Sequence, residues 1–379
     1  MKHFDAIVIG IGGMGSAALY HLARRGWKAL GIEQFEVPHE MGSSHGLTRI
    51  IRLAYYEDPS YVPMLRRAYE LWEQLEVESG QKLFYQTGSI DMGPEDSDVF
   101  AGSLQSCLEH DLEYEVLNSR QLNERFPGYR LPGETMAVYQ PQGGLLVPER
   151  CISAYARLAQ RHGASLRSGE RVTGWEVLND GRLSVRTDRG EYSADKLVVC
   201  GGAWAYKLIP ELRGKAVPER QVLIWLRPNE PELFRPERFP VWNALVDEGR
   251  YYGFPEFNPT GATPGMKFGR WHHREETCDP DTVDRDTYPE DEALLRQFAE
   301  RYFPAGAGET LRMSTCMFTN TLDEHWVLDT LPDVPQVSIA AGFSGHGFKM
   351  ASVIGEIMAD LAQMGSTRHD ISLHQLGRL

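Results

Sequence analysis

The chain has 379 residues, 42% hydrophobic and 24% charged, with a formal net charge of −14. That length allows two domains with substantial cores, and the composition is that of a globular protein. The acidic balance leaves no basic excess to neutralise phosphates, which excludes a general nucleic-acid binder, and no apolar run is long enough to span a bilayer.

Residues 6–9 form a short apolar run, as in a strand buried on both faces. Gly10, Gly12 and Gly15 follow in G-x-G-x-x-G spacing, with Gly13 and Met14 between them. Residues 16–25 then read as a helix that Gly26 stops, and 27–32 as a second strand ending at Glu33. Gly10 permits the tight turn, Gly12 lets backbone approach a pyrophosphate, and Gly15 lets helix pack on strand. The helix N-terminus suits phosphate, and the acid about 20 residues on suits a ribose hydroxyl. A glycine triplet alone is weak. Strand, triplet, helix, strand and acid together predict a dinucleotide site, and Glu33 favours FAD or NAD over NADP.

A small-residue loop, Gly42-Ser43-Ser44-His45-Gly46, leads into Leu47-Thr48-Arg49-Ile50-Ile51-Arg52. Arg49 and Arg52 lie three apart, the spacing of one helix face, and guanidinium matches a carboxylate in planar, bidentate fashion. From spacing alone, a pair of surface arginines accounts for them equally well. Residues 61–79 read as an amphipathic helix closed by Gly80. Residues 83–92 alternate as a strand, 94–110 and 119–126 as helices, 127–132 as a turn and 136–139 as a strand. This stretch breaks the βαβ rhythm.

A helix is predicted over 151–162. Residues 165–178, which include Val172, and 183–187 read as paired strands joined by Asn179-Asp180-Gly181. Residues 195–200 form another buried strand, closed by Gly201-Gly202-Ala203-Trp204. From 217 to 303 aromatics accumulate in strand-like segments, as in a mostly antiparallel sheet whose rings fill a core or line a pocket. The acidic run 279–292 lacks calcium-loop spacing and reads as a solvated face, with a helix over 291–302. Strands follow at 326–329 and 337–341. Gly342-Phe343-Ser344-Gly345-His346-Gly347-Phe348-Lys349 then opens a helix over 350–364, a second strand-to-helix device that favours negative charge.

The five cysteines, at 107, 151, 200, 278 and 316, are odd in number and scattered, which is neither a disulfide framework nor a zinc spacing. No metal is expected. The chain enters its first strand with no charged-then-apolar leader, so the cytoplasm is the default location.

The N-terminal glycine motif with Glu33, the segment 42–52, Cys316-Met317-Phe318-Thr319-Asn320-Thr321 with Asp323-Glu324-His325, and Gly342 to Lys349 together resemble the monomeric sarcosine oxidase family, to which N-methyltryptophan oxidase belongs. The resemblance runs nearly the whole chain in order. It implies an α/β chain, α+β overall. Residues 1–85, 145–215 and 310–379 would form a Rossmann-like FAD-binding domain, and 86–144 and 216–309 a second, mainly antiparallel-sheet substrate domain. It implies FAD held by a thioether from Cys316, although a lone cysteine near a strand is by itself more often a buried small hydrophobe. Gly10, Gly12, Gly13, Met14, Gly15, Glu33, Ser43, Ser44, Thr48, Arg49, Val172, Gly342, Gly345, His346, Gly347 and Lys349 stand as cofactor contacts.

In the same resemblance Arg52 and Lys349 match the pair that grips the substrate carboxylate, Tyr252 an active-site tyrosine, and Lys267 the lysine that assists oxygen reduction. Arg49 sits beside the flavin ring. The chain departs from the family in a longer stretch between Tyr252 and Lys267, containing Pro259, Thr260 and Pro264. It also departs at Arg270-Trp271, after which His272 and His273 compete for the family's single histidine. The implied activity is oxidative demethylation of an N-methyl amino acid by oxygen, yielding formaldehyde and hydrogen peroxide, in a monomer. The alternatives are oxidation of N-methyltryptophan or another larger N-substituted amino acid, a flavin dehydrogenase with another acceptor, a non-catalytic flavin-binding subunit, and a nicotinamide dehydrogenase, which leaves the Cys316 segment unexplained.

Overall fold

The apolar run at the N-terminus is unbroken because both of its faces are covered. In a computed structural model, which describes residues 1–259 and 265–379, Lys2–Ile9 is a central strand. Ala6 and Val8 face a helix layer, and Ile7 and Ile9 join a second core on the opposite side. Ser165–Arg167, Ala29–Ile32, Lys2–Ile9 and Glu191–Val199 pair parallel in that order. Glu191–Val199 changes partner along its length. Residues 191–194 pair antiparallel with Leu183–Thr187, and 197–199 pair parallel with Val334–Ala341. Helix Gly13–Arg24 is buried almost throughout and packs between Pro148–Arg161 and Ala351–Met364.

Among the described residues, the second sheet has eight strands. Its order is Thr310–Asn320, Val217–Leu226, Met266–Arg270, Gly249–Glu256, Val241–Val246, Ser89–Pro94, Thr135–Gln140 and Glu115–Asn118. All neighbours are antiparallel except Val241–Val246 with Ser89–Pro94. Helix Pro289–Tyr302 covers one face, with Phe298 stacked on Tyr251 at 3.8 Å between ring centroids. Thr310–Asn320, which carries Cys316, thus pairs with the second sheet although 310–379 was expected to belong with the first domain. A third, three-stranded sheet joins Arg49–Ile51, Gly144–Leu146 and Phe84–Gln86.

Several local expectations are corrected. Arg49 and Arg52 do not share a helix face, because Arg49–Ile51 is a strand held by Gly144–Leu146. Residues 83–92 divide at Gly88, whose φ of 75° turns the chain from the third sheet into the second. Residues 165–178 divide likewise. Ser165–Arg167 extends the parallel sheet, and only Val172–Val177 pairs with Leu183–Thr187. The acidic run 279–292 is not uniformly solvated, since Asp291 is fully buried and paired with Arg220 at 2.9 Å. Periodicity cannot separate these cases, because partner strands decide them. Thr260 and Pro264 lie outside the described residues.

Among the described residues, no helix is long and apolar enough to cross a membrane. Nor, among them, do three His, Cys, Asp or Glu side chains gather as a metal site.

Candidate active site

The glycine motif builds one wall of a large cavity. Gly10 has φ 84°, and a Cβ there would lie 2.4 Å from the Cys200 carbonyl oxygen. A Cβ on Gly15 would lie 1.7 Å from the Gly10 oxygen, so strand and helix meet backbone to backbone. At Gly12, the cap of the helix, a Cβ would meet nothing within 4 Å. The positive end of the helix therefore faces open space. Glu33 is buried, and its two oxygens accept the Ile11 N–H at 2.8 Å and the Phe35 N–H at 3.1 Å. Each oxygen keeps a lone pair for a further donor.

This cavity encloses about 1430 Å³ counted to its open mouth. Gly10, Gly12, Gly13, Met14, Glu33, Ser43, Ser44, Arg49, Val172, Gly342, Gly345 and Gly347 line it, and Gly15 stands behind it. Helix terminus, buried acid and small-residue walls match the phosphates, ribose and flat rings of a dinucleotide. The residues present therefore fit FAD.

A second, smaller cavity adjoins the first, and Arg49, Phe318, Gly345 and Phe348 line both. Arg52, Tyr252, Cys316, His346 and Lys349 line the second one, with Glu57, Asn243, Phe254 and Trp271. The chain turns out of strand Arg49–Ile51 directly into Arg52, which is buried beneath Tyr56, 4.2 Å from the ring centroid. Arg52 Nη2 donates to Glu57 Oε2 at 2.7 Å, and its other Nη donates to the Ala54 carbonyl. Arg52 Nε has no hydrogen bond among the described residues and sits 3.5 Å from Asp91 Oδ1. Asp91 is itself buried and accepts from Asn243 at 2.6 Å and Ser103 at 2.8 Å.

These charges shape one another. Burial alone would raise the Glu57 carboxyl, yet Arg52, His346 and Lys349 together hold it down at about 2. Burial raises Asp91 above the ordinary carboxylate value, with Arg52 opposing. Burial and the neighbouring Arg52 push Lys349 down to about 7, with Glu57 and Asp91 opposing. Its amine donates to the His346 carbonyl at 2.7 Å. Burial takes His346 down to about 4, so its ring is neutral near pH 7. Its Nδ1 lies 2.5 Å from the Tyr55 hydroxyl and its Nε2 2.9 Å from the Glu324 carbonyl. The carbonyl can only accept, so Nε2 carries the proton and Nδ1 accepts from Tyr55.

Cys316 Sγ is buried 4.0 Å from Arg49 Nη2, and the same Nη2 donates to the Ser43 carbonyl at 2.6 Å. Lys267 lines neither cavity. Its Nζ is caged by the Gly46 and Thr48 carbonyls at 2.8 and 2.7 Å and the Thr48 hydroxyl at 2.9 Å. Burial and Arg49 hold its amine well below the usual lysine value.

Neither histidine competing for the family position enters the cavity. His272 is clasped by Glu219 at 2.8 Å and Glu324 at 3.0 Å, and these carboxylates raise it to about 9. His273 is buried against Asp291 at 2.9 Å. Trp271 lines the cavity instead. Tyr55 and Glu57 also belong to the site, and the local signal for Glu57 is an acid five residues after Arg52. Asp91 and Asn243 carry none. They face each other only because Ser89–Pro94 pairs with Val241–Val246.

Comparison with known proteins agrees with this geometry. Residues 5–361 match the family model described as FAD dependent oxidoreductase. The chain is 44% identical to monomeric sarcosine oxidase of Bacillus sp. strain NS-129, over 99% of this chain and 97% of that protein. It is 35% identical to N-methyl-L-tryptophan oxidase of Yersinia pestis, over 99% of each. Among solved structures, it superposes with a TM-score of 0.85 on NikD, an unusual amino acid oxidase essential for nikkomycin biosynthesis. The identity there is 26%, over 99% of this chain and 98% of that one.

Proposed function

The chain belongs to the FAD-dependent oxidoreductase family, and we propose that it is an oxidase that demethylates a small N-methyl amino acid with oxygen as the acceptor. The products are the demethylated amino acid, formaldehyde and hydrogen peroxide. One observation carries the reading. Two buried cations, Arg52 and Lys349, stand in a small cavity that shares a wall with the dinucleotide cavity.

Arg52 is already neutralised by Glu57, so Lys349 supplies the unmatched charge for a substrate carboxylate. The carboxylate satisfies both groups and aims the N-methyl carbon at the shared wall. A charged Lys349 disfavours an ammonium beside it, so the substrate binds with its nitrogen unprotonated and its electron pair available. Bound FAD supplies the two-electron acceptor for the N–CH₃ bond. The substrate leaves the step as an imine, which water hydrolyses. Tyr252, Phe254 and Phe318 wall the cavity and restrict water around the reacting carbon. Lys267 lies in its cage beside Thr48, outside both cavities, and from there its amine offsets the negative charge that develops on reduced oxygen. Cys316, buried beside the shared wall, is the residue that would hold FAD through a thioether.

The test uses purified holoprotein. Anaerobic addition of N-methyl amino acids should bleach the flavin absorbance, and air should then restore it with one peroxide per turnover. Acid precipitation should leave the colour in the pellet, and Cys316→Ser should release it. Bleaching without peroxide would replace the oxidase with a dehydrogenase. No bleaching by any N-methyl amino acid would overturn the assignment.

A further inference from the structure

Trp271 lines the substrate cavity where neither His272 nor His273 does, and among the described residues it is the one large side chain of its loop to reach it. Its backbone is tied to the sheet, since the Trp271 N–H donates to the Arg250 carbonyl at 2.8 Å. Directly after it, His272 adopts φ 53°, a left-handed conformation that few non-glycine residues take. That turn sends successive side chains in different directions. The indole goes into the cavity and the imidazole onto two carboxylates.

The indole is held on three sides. Its ring lies 5.2 Å from Phe318 and 6.0 Å from His346, centroid to centroid. Its Nε1 donates to Glu324 Oε1 at 3.3 Å, the same oxygen that His272 Nε2 approaches at 3.0 Å. The other nitrogen of His272 meets Glu219, which Asn320 also holds at 2.9 Å. Glu324 in turn lies on the segment whose carbonyl receives the His346 proton. Glu324 is 39% exposed in its side chain, so the clamp that holds the indole reaches solvent.

We infer that Trp271 is the specificity-determining roof of the substrate cavity, held down by Glu324 and His272, and that it admits N-methyl amino acids with short side chains and excludes bulky ones. The inference rests on the proposed reading of this cavity as the amino-acid site. The Arg52 and Lys349 pair fixes the carboxylate end of the substrate, so a longer side chain must displace either the aromatic wall or the indole. The indole, half-buried and tied to an exposed carboxylate, is the one that can give way. Glu324 and His272 are positioning residues that act through it. A close-packed apolar wall discriminates by about 10- to 200-fold per misfitting methylene, so the roof sets a steep preference.

The experiment compares holoenzymes by anaerobic flavin reduction with two probes, sarcosine and N-methyl-L-tryptophan. Wild type should be reduced far more efficiently by sarcosine. Trp271→Ala should move the ratio of kcat/KM values toward N-methyl-L-tryptophan by at least about tenfold, mainly through KM. Trp271→Phe should move it less, and it carries the test if the alanine variant loses flavin. Glu324→Ala should shift the ratio in the same direction, whereas Glu324→Gln, which keeps an oxygen for the indole N–H, should stay near wild type. A ratio unmoved in the Trp271 variants, with wild type still reduced by sarcosine, would overturn this inference alone. Wild type reduced by neither probe would overturn the reading of the cavity beneath it.

Discussion

Lys349 offers a sharp test of the carboxylate site. Burial and Arg52 hold its amine at about 7 in the free protein, against an ordinary value of 10.5. The sign follows from the shift. The pocket disfavours the charged amine, so above pH 7 the free protein carries Lys349 mainly neutral. A bound carboxylate reverses that preference, so binding takes up a proton. The competent fraction is about one half at pH 7 and about 1% at pH 9. The Kd of a carboxylate analogue without an amine should therefore rise roughly 50-fold between those values. Glu57, held at about 2, and His346, at about 4, titrate well below this range. The assay is a titration of holoenzyme by flavin absorbance across pH 6 to 9. Calorimetry in buffers of different ionisation enthalpy would count the proton. In Lys349→Met the affinity should be weak and nearly flat with pH. A wild-type Kd that stays level from pH 6 to 9, or a Lys349→Met variant with the wild-type slope, would remove Lys349 from the carboxylate site.

Arg52→Ala should raise substrate KM by about 100-fold or more and lower stability by roughly 3–5 kcal/mol, because Glu57 is left buried without its cation. Adding Glu57→Ala should recover part of the stability, read by thermal melts, without recovering KM. Lys267→Met should slow flavin reoxidation by roughly 100-fold or more and leave anaerobic reduction within about twofold, read by stopped flow. Equal effects on both half-reactions would remove Lys267 from the oxygen step. Gly15→Ala should yield protein without flavin, because its Cβ would lie 1.7 Å from the Gly10 oxygen. A variant that retains stoichiometric FAD would show that the backbone contact can relax.

Much of the fold is written locally in the chain. The strand at 2–9, the glycine turn and helix Gly13–Arg24 depend on side-chain period and on residues without a Cβ, and both are visible in about thirty consecutive residues. The same holds for helix Val62–Ser79, which ends as Gly80 takes φ 67°. The strand and helix around Gly342 to Lys349 were legible for the same reason. Strand pairing was not. Residues 165–178 divide because two different strands compete for them, and 83–92 divide because two sheets do. No local pattern states which partner wins.

Within the candidate site the same boundary applies. The dinucleotide motif is legible in consecutive residues, and the family resemblance points to Arg52, Cys316 and Lys349. The folded chain alone brings Asp91 and Asn243 together beside Arg52, since strands 152 residues apart supply them. Only it decided that Trp271, and neither His272 nor His273, turns into the cavity. A side chain's direction there depends on a left-handed turn at His272 and on carboxylates from Glu219 and Glu324. Charge pairing across distant strands, acting on a chain whose local period is silent, sets which residue faces the substrate.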